Sequence, residues 1–274
     1  MKKIKNSLFA GFILIGLLVF AACGGNGDAQ SYVIRIGATA VPHSEILEQV
    51  VSVLSDRGFD LEIVVFDDFI TPNMALDAGD IDLNFFQHVP FLNNFNYNHG
   101  TNLVPVFGVH FEPLRLYAGI LDSLEAVPQD AIIAIPDDPT NEARALQLLE
   151  ALGLITLYPG IGLSATVTTG IMENPYNLTI QTLTAQTLPQ ILPDVHFAVI
   201  NGNIALQGGV IEKAIDGAGE AVDSPAAQQF TNYIVVRDGY EDNEGVRALI
   251  EALSTQNIID FIYNQYQGRV VPTF

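Results

Sequence analysis

Val33-Ile34-Arg35-Ile36-Gly37-Ala38, then His43 to Arg57, then Gly58, then Leu61-Glu62-Ile63-Val64-Val65-Phe66 read in order as strand, helix, stop and strand. The two outer runs are short, apolar and rich in β-branched residues. The middle segment places Ile46, Leu47, Val50, Val51 and Leu54 at helical spacing, with Pro42, Ser44 and Glu45 at its start. A strand–helix–strand opening of this kind demands a sheet covered by helices.

The rhythm continues along the chain. A short helix is expected at Asn73 to Asp77, broken by Gly79. Leu103-Val104-Pro105-Val106 and Leu114 to Ile120 are strand-like. Ala131 to Ile135 reads as a buried strand stopped by Pro136. Asn141 to Leu152 is a helix with Ala145, Leu148, Leu149 and Leu152 on one face. Strands are expected at Leu178 to Leu183, His196 to Ile200 and Tyr233 to Val236, and helices at Asn243 to Leu253 and Gln256 to Tyr266. No internal repeat is visible. The fold class is α/β.

The first residues address location. Lys2, Lys3 and Lys5 precede an uncharged run from Leu8 to Cys23 of about 16 residues, shorter than the ~20 that a membrane-spanning helix needs. A basic head, a short apolar stretch and a small-residue exit read as an export signal over residues 1–22. The exit Val19-Phe20-Ala21-Ala22-Cys23 resembles a bacterial lipobox with Phe20 in place of the usual Leu, which implies acylation (palmitate) of Cys23. Residues 23–31, with Gly24-Gly25-Asn26-Gly27-Asp28, suit a tether. The competing reading is a signal peptide that merely contains a Cys. Cys23 is the sole cysteine, so no disulfide forms within the chain. The expected location is extracytoplasmic, lipid-anchored to the cell membrane.

Removing residues 1–22 from the 274 leaves 252, enough for two α/β lobes. That segment carries three Lys and no acid, so the formal charge moves from −20 to −23. Such a surface repels nucleic acid, which excludes that partner class. No nucleophile elbow, zinc-binding H-E-x-x-H pair or phosphate-binding glycine loop occurs. His43, His88, His99, His110 and His196 lie far apart in sequence. Neither an enzyme, a cofactor nor a metal is expected.

Six blocks, in order, carry a resemblance: Gly37-Ala38-Thr39 with Pro42 to Leu47; Phe66-Asp67-Asp68-Phe69 with Pro72 to Leu76; Gly79 to Pro90; Ile135 to Leu146; Ala198 to Asn203; and Asp223-Ser224-Pro225. From Ile34 to the C-terminus the chain resembles the methionine-binding lipoproteins of ABC importers, the NlpA family. The resemblance implies a two-lobed periplasmic-binding-protein-like fold (type II) with the ligand in a cleft between lobes joined by two crossover strands. By analogy, lobe 1 would comprise 32–117 plus 234–274 and lobe 2 would comprise 118–233, crossing near Tyr117-Ala118-Gly119 and Tyr233-Ile234. It implies a receptor that binds L-methionine or a similar amino acid and delivers it to an ABC permease. Alternatives are a different amino acid or short peptide as ligand, or a surface adhesin or sensor.

The implied ligand-binding set is Phe69, Phe86, His88, Tyr117, Asn141, Arg144, Asn201, Asn203 and Asn232. An Arg grips a carboxylate through two parallel hydrogen bonds; the competing reading is a surface Arg144 paired with Glu142 or Glu150. Asn201 and Asn203 follow a strand, where α/β crevices form, although Asn-Gly is also a turn pair. Phe69, Phe86 and His88 would supply a ring-bearing wall for a thioether. Because adjacent strand residues face opposite ways, Phe85 would be core where Phe86 is pocket. The chain departs from the family pattern at Ala143 (commonly Gly), Phe69 (often Tyr) and Ala226 (commonly Tyr), with extra residues before Asn232. These departures touch side-chain specificity more than carboxylate recognition.

Overall fold

Eight residues, Tyr32–Thr39, form β1, and they pair in parallel with β2 (Phe59–Phe66) on one side and β3 (Leu83–His88) on the other. The computed structural model describes residues 31–224 and 228–274. The expected leader, Cys23 and Ala226 lie outside the described residues. Two sheets dominate the rest. In the first, β4 (Leu103–Phe111), β12 (Thr231–Arg237) and β13 (Val271–Pro272) extend β1–β3 in the order β13-β4-β12-β3-β1-β2, and β12 runs antiparallel to both β3 and β4. The second has the order β11-β5-β10-β6-β9, from β5 (Arg115–Ala118), β6 (Ile132–Pro136), β9 (Thr179–Leu183), β10 (Phe197–Ile200) and β11 (Ala214–Gly219). A two-stranded ribbon, β7 (Thr156–Leu157) with β8 (Ile171–Glu173), stands apart.

Each sheet has its own core. The first packs Ile34, Ile36 and Phe85 against Leu249 and Leu253 of α8 (Glu244–Leu253) and Ile258 and Ile262 of α9 (Gln256–Tyr266). The second packs Ile133, Ile135 and Val199 against Ala145, Leu146 and Leu149 of α5 (Pro139–Ala151). Burial of apolar side chains at about 25 cal/mol per Å² is the main stabilising term in both.

Three differences from the sequence reading have physical causes. The expected helix His43 to Arg57 is interrupted: α1 covers Glu45–Glu48 and α2 covers Val51–Ser55. The Gln49 side-chain amide donates to Glu45 O at 3.0 Å while its backbone N–H turns to Ile46 O, so the α-helical bond at that step is lost. β3 and α4 (Val89–His99) are elements that the sequence pattern does not predict. Every residue of β3 is buried, so no period-2 pattern exists to be read. The expected crossing points also sit inside strands, since Tyr117 is within β5 of the second sheet and Tyr233-Ile234 within β12 of the first. The chain leaves the first sheet through residues 112–114 and returns to it between β11 and β12.

Candidate functional site

β3 ends at His88, β4 runs out into Glu112, β6 feeds α5, and β10, which follows α6 (Leu188–Ile191), feeds α7 (Gly202–Gln207). These strand ends converge on one cavity, lined from both sheets. Of the nine residues expected to bind ligand, Phe69, Phe86, His88, Asn141, Arg144, Asn201, Asn203 and Asn232 line it. Gln87, Phe91, Glu112 and Gly202 complete the wall.

Tyr117 does not join them. Its strand turns it into the second sheet's core with Leu188, Leu192 and Ile200, where it is fully buried. The Phe85/Phe86 alternation holds: Phe85 is in the first core and Phe86 faces the cavity.

The apolar end is a box of three rings. Phe69 and Phe86 stack at 6.0 Å between centroids, and Phe91 meets each edge-on at 6.1 and 6.0 Å. Behind it, a buried amide network locks β3 to α3 (Thr71–Ala78). Gln87 Nε2 donates to Asn73 Oδ1 at 2.6 Å and to Asn84 Oδ1 at 2.9 Å, and Asn73 Nδ2 returns a bond to Gln87 Oε1 at 2.9 Å.

The polar end begins at the start of α5. Asp138 caps the helix, accepting from Asn141 N at 3.0 Å, and its other oxygen accepts from Asn141 Nδ2 at 2.9 Å. That leaves Asn141 Oδ1 to accept from Asn201 Nδ2 at 3.1 Å and to meet His88 Nε2 at 3.3 Å. His88 Nδ1 accepts from Phe91 N at 3.2 Å, so the proton is on Nε2. Burial, reinforced by the Arg144 charge, lowers the His88 pKa to about 3.

Arg144 lies one turn further on and is buried. It pairs with neither Glu142 nor Glu150, whose carboxylates accept from Val167 N and Leu157 N. Its Nε donates to Glu220 Oε1 at 2.7 Å, and Nη2 donates to Glu220 Oε2 and, at 2.9 Å, to Glu112 O. The guanidinium rests 4.2 Å from the Phe230 ring centroid. The fork that the sequence reading reserved for a ligand carboxylate is therefore filled by Glu220 on Nε and Nη2, leaving Nη1 outside these bonds.

Glu112 heads a second buried cluster. Its Oε1 accepts from His110 Nε2 at 2.8 Å and lies 3.5 Å from His43 Nε2; its Oε2 accepts from Asn203 N. His43 Nδ1 meets Thr39 Oγ1 at 2.7 Å and its Nε2 meets Asn232 Oδ1 at 3.2 Å. The ligating atoms of His43, His110 and Glu112 lie within 4.8 Å of one another, a grouping that their sequence separation conceals. Desolvation lowers both His pKa values to about 3 and raises that of Glu112. A Cβ on Gly202 would sit 3.0 Å from Glu112 Oε2, so a glycine there makes room for the carboxylate.

Among the described residues, four buried side-chain polar atoms have no hydrogen-bond partner: His110 Nδ1, Tyr117 Oη, Asn201 Oδ1 and Asn203 Nδ2. The two amide atoms belong to cavity-lining residues, one an acceptor and the other a donor. Unsatisfied buried polar atoms cost about 1–3 kcal/mol each, so they mark where a partner is wanted.

The profile of the NlpA lipoprotein family matches residues 34–274. The D-methionine-binding lipoprotein MetQ of Escherichia coli strain K12 is 36% identical over 262 residues, covering 94% of each chain. A nutrient-binding protein from Burkholderia cenocepacia, solved bound to methionine, superposes with a TM-score of 0.81 at 37% identity, covering 88% of this chain and 100% of that one. An ABC transporter periplasmic substrate-binding protein from Coxiella burnetii superposes with a TM-score of 0.80 at 32% identity, covering 88% of this chain and 100% of that one.

Proposed function

The chain belongs to the NlpA lipoprotein family, and on that premise we propose that it is the substrate-binding lipoprotein of an ABC importer, taking methionine in the cavity between its two sheets. The observation that carries this reading is the pair of orphaned amide atoms, Asn201 Oδ1 and Asn203 Nδ2. A free amino acid is a zwitterion, and it supplies a donor to the first and an acceptor to the second. Arg144 supplies a fixed positive charge beside the carboxylate through Nη1, while Glu220 holds the guanidinium in place. The three-Phe box receives the thioether, each sulfur–ring contact contributing about 0.3–1.5 kcal/mol. Nothing in this assignment needs bond-making, so the role is capture and delivery without catalysis.

The lobes follow the sheets: one on the first sheet with α8 and α9, the other on the second, and they open and close about the connections from β4 to β5 and from β11 to β12. Hydrogen bonds such as His88 to Asn141 join them in the closed form. Ligand release is coupled to docking on the membrane permease. Among the described residues no helix is long and apolar enough to cross a membrane. Attachment is through lipid on Cys23, which the exit sequence Val19 to Cys23 supports.

Thermal unfolding of ligand-stripped protein, screened against the twenty amino acids and D-methionine, tests the proposal. Methionine at 100 times its dissociation constant adds about 2.7 kcal/mol, a rise of roughly 5–10 °C for a chain of this size. A rise with other amino acids but not methionine transfers the specificity; no rise with any of them overturns the proposal.

A further inference from the structure

Arg144 is paired with Glu220, and the cavity wall carries another carboxylate, Glu112, that among the described residues no Lys or Arg side chain pairs with. Glu112 is buried, lines the cavity, and is held from behind by His110 Nε2 at 2.8 Å and by the N–H of Asn203. His43 Nε2 stands 3.5 Å from the same oxygen. Both rings are neutral in the folded protein, since burial holds their pKa values at about 3. The Arg144 guanidinium meets only the backbone carbonyl of Glu112. The groups facing the carboxylate are thus two neutral rings, one amide and an arginine already paired elsewhere. Residue 202 is a glycine, where a Cβ would stand 3.0 Å from Oε2.

We infer that Glu112 is the counter-charge for the ligand's α-ammonium, making the site selective for amino acids over the corresponding 2-hydroxy acids. The inference rests on the proposed amino-acid reading and adds the residue that recognises the amino group. Donation from two neutral groups orients the carboxylate without cancelling its charge, which a protonated His or a Lys would do. A buried carboxylate without a counter-ion is costly, so a cationic ligand group relieves a penalty that a neutral hydroxyl leaves in place.

The test uses the full chain in detergent, stripped of ligand by unfolding and refolding. Titration calorimetry compares L-methionine with its analogue in which a hydroxyl replaces the ammonium. The wild type is expected to prefer methionine by about a hundredfold, the range for removing one partner of a buried charge pair. Glu112→Gln keeps the shape and the hydrogen bond from Asn203 N, and it is expected to cut the preference to about tenfold or less by weakening methionine alone. Equal losses for both ligands, or an unchanged preference, would overturn the inference. If Glu112→Gln fails to fold, the wild type still decides. Binding heats in buffers of different ionisation enthalpy should show protons released with methionine, increasingly so toward acid pH, and none with the hydroxy analogue. Equal release with both contradicts the assignment. Failure of the wild type to bind methionine at all is a different result, and removes the amino-acid reading itself.

Discussion

Arg144 directs two of its N–H groups at one carboxylate: Nε donates to Glu220 Oε1 at 2.7 Å and Nη2 donates to Glu220 Oε2. The pair is removed from water, with side-chain exposures of 4% and 10%. Breaking a buried pair from one side costs about 3–5 kcal/mol because the other charge is left alone. Arg144→Ala is therefore expected to lower unfolding stability in a urea titration by that amount and to abolish methionine binding. Arg144→Met combined with Glu220→Gln should recover much of the stability and none of the binding. A stability loss in the double variant as large as in the single one would contradict the pairing argument.

The aromatic box makes a graded prediction. Phe86 is 5% exposed and stacks on Phe69, which is only partly buried and packs against the second sheet's core. Phe86→Ala should cost both stability, by about 3–5 kcal/mol, and affinity. Phe69→Ala should cost affinity by a comparable factor with a smaller loss of stability. Paired urea melts and methionine titrations on the two variants separate the effects.

Three buried His residues set a pH dependence. His43, His88 and His110 have folded pKa values lowered from 6.5 to about 3. A depressed folded pKa means that the unfolded chain binds more protons between those values. Each His therefore contributes stability that is present above about pH 6.5 and is lost as pH falls toward 3. Glu112, with its folded pKa raised, contributes in the opposite sense. The unfolding midpoint should drop through this window. His88→Gln, which cannot be charged, should flatten the slope by up to about 1.4 kcal/mol per pH unit. A slope unchanged in the variant would show that His88 is not held neutral by the fold.

Much of this fold was legible, because its strands and amphipathic helices obey period and stop signals. The helix Asn141 to Leu152 and the strand Ala131 to Ile135 emerge close to their expected bounds as α5 and β6. β3 and α4 were not legible as elements. The strand is buried on both faces, and the helix Val89–His99 carries four Asn residues, which weaken helical patterning. At the site, resemblance brought eight cavity residues onto one list. It left out Glu112 and Glu220, whose relation to Arg144 spans 32 and 76 positions and exists only after folding. Tyr117 was misplaced because a strand of four residues gives no sign of which face meets the core.

Anchoring has its own test. The full chain expressed in a bacterium should partition into the detergent-rich phase of a cloud-point extraction, and Cys23→Ser should move it to the aqueous phase. Equal partitioning of the two would remove the lipid anchor and leave the ligand site untouched.

The cavity is proposed to receive a zwitterion with an apolar tail. The most direct test is a calorimetric titration of ligand-stripped protein with L-methionine. Saturation at one methionine per chain is expected, with no heat above dilution for Arg144→Ala. Folded wild-type protein that gives no saturable heat with methionine, or Arg144→Ala that binds it as tightly as wild type, would contradict it.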